Sequence, residues 1–206
     1  MTVMSAGRER GFQPAGAMSA KSQSGDAAVA LAYATLSRGA RFLGAGLVIS
    51  PVAYRAYPMA YGAKVLGNGL RELDRFLNIL IGEVARACGA PVSPNERNTA
   101  NKLRRLRHAL AVSDSDHARL VAMGRSRDCL FHCSGRVHRG DRPGDSRITA
   151  GWPEAVPHRV AVGGELTMTA SELAEICDFY VAIADGLMPL ASVPHRSART
   201  SLNPPA

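Results

Sequence analysis

The sequence predicts an all-α fold: a small up-and-down bundle of about four helices with a short β-hairpin before the last one. Three observations carry that prediction. Leu66, Leu70, Leu73, Leu77, Leu80 and Val84 alternate at spacings of four and three, a heptad-like seam for packing on other helices. Ser93-Pro94-Asn95-Glu96 and Thr169-Ala170-Ser171-Glu172 read as capping boxes, which open helices. Residues 159–169 alternate at a period of two, with Gly163-Gly164 in the middle as a two-residue hairpin signal.

In chain order, residues 1–26 are rich in Ser, Gly and Ala without periodicity and are expected to be disordered. Residues 27–41 suit a short helix. Residues 42–58 are apolar but broken by Gly44, Gly46, Pro51 and Pro58, and are expected to pack as an irregular arm. Residues 1–58 are thus an N-terminal tail and arm, partly disordered, and residues 59–188 the helical domain. The first strong helix runs over 59–88 and is stopped by Gly89, Ala90 and Pro91. The second is expected over 94–111, with Leu103, Leu106 and Leu110 inward. Its other face carries Arg97, Lys102, Arg104, Arg105, Arg107 and His108, which is either a solvated face or a track for phosphates.

Ser113-Asp114-Ser115-Asp116 links to a third helix ending near Cys133. Residues 134–157, with several Gly, Pro and charges, read as a loop. The fourth helix follows Thr169 to about Leu187, with Leu173, Ile176, Tyr180, Ile183 and Leu187 inward, and Pro189 stops it. Residues 189–206 read as a disordered tail.

Charge is unevenly spread. The chain of 206 residues has a formal net charge of +8. Residues 93–147 hold twelve Lys/Arg against six Asp/Glu, whereas residues 148–188 hold one against six. A basic block facing a polyanion is one reading; solubility, with residues 1–58 adding +4, is the other. The four cysteines have no framework spacing, so they read as reduced thiols in a cytoplasmic protein. The apolar run at 42–53 is flanked by Arg41 and Arg55 and contains Pro51. It is too short for a membrane span, which needs about 20 residues. No phosphate loop, dinucleotide fingerprint, Ser-His-Asp set or His-Glu-x-x-His pattern is visible.

The chemistry-bearing stretch closes the third helix. Leu120, Met123, Arg127 and Leu130 fall at spacings of three, four and three, a buried stripe in which Arg127 occupies a core position. A guanidinium cannot shed its charge and is costly to bury unpaired. It therefore snorkels out, lines a cleft or interface, or pairs with an acid of a neighbouring helix, for which the acidic 148–188 segment offers candidates. His132 lies five residues on, about 140° around an ideal helix. A loosened helix end or a second copy would let the two converge. Taken singly, His132 also suits a helix C-terminus interacting with the last carbonyls.

Arg127, Asp128 and His132, followed by Cys133-Ser134-Gly135-Arg136-Val137, resemble the motif of the HEPN superfamily: an arginine, a polar residue, a few more residues and a histidine at the end of a long helix. The prokaryotic RiboL-PSP-HEPN type is the branch it is most similar to. The resemblance covers residues 59–187. It implies a metal-independent endoribonuclease without cofactor, formed as a homodimer whose two motifs face each other. A toxin or defence role, with a neutralising antitoxin partner, would follow from the resemblance too. His132 would move protons, Arg127 would neutralise the phosphorane and Asp128 would orient either. Arg136, His138 and Arg139, with Arg104, Arg105 and Arg107 of the second helix, would guide RNA. A non-catalytic HEPN module binding nucleic acid, nucleotide or protein is the alternative. Cys129, His132, Cys133 and His138 also place four metal-capable side chains within ten residues, but their spacing is not a common zinc pattern, and small cysteines on a helix more often pack in the core.

Overall fold

The computed structural model describes residues 16–46, 59–153 and 158–193. Five α-helices run α1 Gly16–Gly46, α2 Met59–Cys88, α3 Thr99–Ala109, α4 His117–Cys133 and α5 Ala170–Leu187. Between α4 and α5 lie β1 Arg147–Thr149 and β2 Arg159–Ala161, and a 3-10 turn, Pro189–Ser192, follows α5. The fold is an all-α bundle with a small antiparallel hairpin before the last helix. No helix among the described residues is long and apolar enough to cross a membrane.

The leucine seam organises the bundle. Leu66, Leu70, Leu73, Leu77, Leu80 and Val84 are all buried, and α2 contacts α1, α3, α4 and α5. The inward residues expected of α5 are buried as well, and its capping box is complete: Thr169 accepts from the Glu172 amide while Glu172 accepts from that of Thr169. Burial of each such large aliphatic side chain contributes about 1.5–3 kcal/mol.

Four expectations are corrected. Residues 16–26 are helical, not irregular, and α1 extends well past both ends of the 27–41 stretch. Val29, Leu36 and Ala40 of α1 join the common core against α2 and α5, so the core takes in chain from before residue 59. Of the apolar arm, residues 42–46 continue α1; the remainder lies outside the described residues. The α3 helix starts at Thr99, not 94, because Asn98 takes the cap: its side chain accepts from the Asn101 amide, while Glu96 accepts from the Asn98 amide. Finally, Leu190 and Ala191 pack on the core, so the chain just after Pro189 is part of the domain.

The hairpin also differs in detail. β2 pairs with β1, Ile148 opposite Val160, and not with residues beyond Gly163-Gly164. The glycine pair turns the chain back: Gly163 holds φ +88, and the Gly164 amide donates to Ala161. The next residues pair with the chain leaving α4, Glu165 opposite Arg136.

Candidate functional site

The end of α4 is fixed by a close approach of backbones. A Cβ on Gly67 of α2 would lie 2.6 Å from the Phe131 amide nitrogen, so only glycine lets α4 sit this near. The helix then stops abruptly. Ser134 and Gly135 take left-handed φ angles of 52° and 87°, and their amides both donate to the Cys129 carbonyl. Glycine suits that conformation because it has no Cβ. The reversed chain is strapped down: Val137 is buried, its amide donates to Gly164 and its carbonyl accepts from Gly163.

This reversal brings His138 and Arg139 back beside His132. All three are exposed, and they line one open depression of about 380 Å³ together with Arg125 and Asp128 of α4. The His132 ring stands edge-on to Phe131, centroids 4.8 Å apart, and the Arg71 guanidinium covers the Phe131 ring at 5.2 Å. His132 is thus seated on an aromatic that is itself pinned by α2. Arg125 reaches Asp141 at 3.0 Å, which fixes its guanidinium against the loop.

Arg127 does not share that depression. Its guanidinium pairs with Asp74 of α2 at 2.6 Å and with Asp128 at 3.1 Å. Burial alone would lower its pKa, but the two carboxylates overcome that and hold it above the ordinary value. Within one copy Arg127 lines a smaller adjoining cleft of about 180 Å³, with Arg97, Thr99 and Asp74. Arg125 and Asp128 line both cavities and form the wall between them. The expected convergence of Arg127 and His132 on one cleft is therefore not made within a single copy. The helical geometry that sets them about 140° apart persists to the end of α4. The acid that pairs with Arg127 is also not in the 148–188 segment but on α2.

Asp74 is the partner that spacing around Arg127 does not reveal. It flanks the seam, between Leu73 and Leu77, and a carboxylate beside a buried stripe is the signal that could have exposed it. Thr99, buried at the start of α3, donates to the same Asp74 oxygen at 2.9 Å. The buried Tyr180 hydroxyl is raised well above its ordinary pKa, first by burial and then by Asp74.

The basic face of α3 is divided by the structure. Arg104 and Arg105 are exposed, Arg105 reaching Glu96 at 3.3 Å. Arg107, expected to guide RNA, is instead buried and paired with Asp116 at 2.6 Å and Asp114 at 3.3 Å. Its partners come from the linker before α4, which folds back over α3. Lys102 is likewise buried, donating to Asn78, its pKa lowered by burial and by Arg86. Arg136 is exposed and follows the turn, with its backbone paired to Glu165.

Cys129 is buried, with its thiol directed at the Arg136 carbonyl at 3.4 Å. Burial, aided by Cys133, pushes that thiol up to about 11. Among the described residues no three of His, Cys, Asp and Glu come together as a metal-ligating group. No family model, curated protein or solved structure matches this chain.

Proposed function

We propose that the chain is a metal-independent endoribonuclease of HEPN type, with the His132 depression as its reaction site. One observation carries this reading: the exposed His132 lines an open depression whose lining also holds the exposed Arg139 and the Asp141-paired Arg125. RNA can be cut by its own 2′-hydroxyl attacking the adjacent phosphorus. That reaction needs a proton carrier that titrates near neutrality, and a fixed positive charge for the phosphorane oxygens. An imidazole and a planar guanidinium meet those two needs. Asp128, in the wall, fits an orienting role, and Arg127 fits the role of holding Asp128. The homodimer, the toxin role and the antitoxin partner follow from the family resemblance alone.

A second reading is favoured by the pairing of Arg127 with two carboxylates, which leaves it little charge to offer a phosphate. It is a non-catalytic module that binds RNA or a partner through the same basic depression.

RNA cleavage in EDTA by the wild type, His132→Ala and Arg127→Ala separates these readings. Loss of the imidazole should slow cutting by roughly 10²–10⁴-fold, the usual worth of acid–base catalysis. Cutting that persists in both variants would overturn the assignment. RNA binding without any cutting selects the module.

A further inference from the structure

We propose that His138 is the second proton-transfer residue of the depression that His132 lines. The inference rests on the ribonuclease reading above. His138 is not on the helix that carries His132. It arrives by a chain reversal with several locked points. Gly135 holds a left-handed φ of 87°, and a Cβ there would lie 3.0 Å from the Leu166 carbonyl. The buried Val137 is hydrogen-bonded on both sides to the Gly163-Gly164 turn. Gly140 is buried, and a Cβ there would run into the Asp145 carbonyl. His138 therefore sits between two fixed points on the rim of the depression that His132 enters from α4. A residue that merely attracts RNA does not need that rigidity, whereas proton transfer depends on positioning within hydrogen-bond reach.

The chemistry uses both imidazoles. One, neutral, takes the 2′-hydroxyl proton as that oxygen bonds to phosphorus. The other, protonated, gives its proton to the 5′-oxygen as the bond from phosphorus to that oxygen breaks. The products are a 2′,3′-cyclic phosphate and a 5′-hydroxyl. The two histidines end with their protonation states exchanged, and solvent restores them. Arg139, exposed on the same lining, would meet the charge that builds on the non-bridging oxygens, since Arg125 is already paired with Asp141.

The test compares wild type, His132→Ala, His138→Ala and His138→Gln on two substrates in EDTA. One is RNA; the other is a nucleoside 3′-(p-nitrophenyl phosphate), whose leaving group departs without a proton. Each histidine variant should lose at least tenfold on RNA. On the activated substrate the variant lacking the acid should recover, and the one lacking the base should not. The pH profile should lose one limb in His138→Gln with an unchanged melting temperature. A loss below tenfold for His138 variants, or equal losses on both substrates for both histidines, overturns the pair while leaving the ribonuclease reading intact. A wild type that cuts neither substrate overturns both.

Discussion

Arg127 of α4 and Asp74 of α2 meet at 2.6 Å, and Thr99 of α3 donates to the same Asp74 oxygen at 2.9 Å. Three helices thus converge on one carboxylate. The side chains of Arg127 and Asp74 are 20% and 17% exposed, too little for water to replace the contact. The arginine that the sequence placed on a core stripe is therefore kept there by a charge supplied from the seam helix.

Asp74→Ala should destabilise the fold by about 2–3 kcal/mol, the range for losing hydrogen bonds to a charged group. Asp128 keeps Arg127 partly compensated, so the full cost of an unpaired buried charge is not expected. Asp74→Ala combined with Arg127→Ala should cost less than the two singles added. Urea denaturation of the four proteins in a double-mutant cycle measures that coupling.

The two halves of the α3 basic face should separate experimentally. Arg107→Ala should lower stability by about 3 kcal/mol, because Asp114 and Asp116 lose a buried partner. Arg104→Ala should leave stability within about 0.5 kcal/mol. If α3 tracks RNA, that variant should also weaken binding and reduce the salt slope by about 0.7, one phosphate contact on a single strand. Thermal melts and a salt titration of RNA binding read the two effects independently.

Gly67→Ala should destabilise by about 1–3 kcal/mol despite the better helix propensity of alanine. The obstacle is the Phe131 backbone, which cannot rotate out of the way as a side chain could. Gly186 makes the control, since a Cβ there meets nothing within 4 Å. Alanine at Gly186 should be neutral or stabilising in the same denaturation assay.

Asp141 gives the fold a pH dependence of known sign. Burial would raise its carboxyl, but hydrogen bonds from Thr149 and the charge of Arg125 outweigh that and hold it below the ordinary carboxylate value. Its contribution is present above the pKa of the unfolded chain and is lost as pH falls through the lower folded value. Asp141→Asn should cost about 1.5–3 kcal/mol near neutrality. The difference from wild type should shrink below about pH 4, where the unfolded chain takes up the proton. Denaturation curves at pH 7 and pH 3 check this.

Much of the frame was legible in the residues. Six seam positions named α2 and its buried face, Thr169 and Glu172 opened α5, and α4 closed at Cys133 as expected. The first helix was less legible because Ser, Gly and Ala dilute its apolar stripe; packing on α2 and α5 decides it instead. The strand register was missed because the alternation around Gly163-Gly164 fits pairing on either side. The chain leaving α4 took the outer partner.

The candidate site divides in the same way. Spacing along the chain already places Arg127, Asp128 and His132 at the close of a helix, with basic residues after them. Those are local facts, set by spacing, caps and breakers within a few residues. Packing alone makes Asp74 claim Arg127, buries Arg107 and returns His138 to the depression that His132 lines. The first and the last of those outcomes turn on backbones meeting far apart in the chain, at Gly67 against Phe131 and Val137 against Gly164, whereas Arg107 is covered by the linker that carries Asp114 and Asp116. Periodicity describes which face of an element is apolar; it carries no record of which charge on another element will stand opposite.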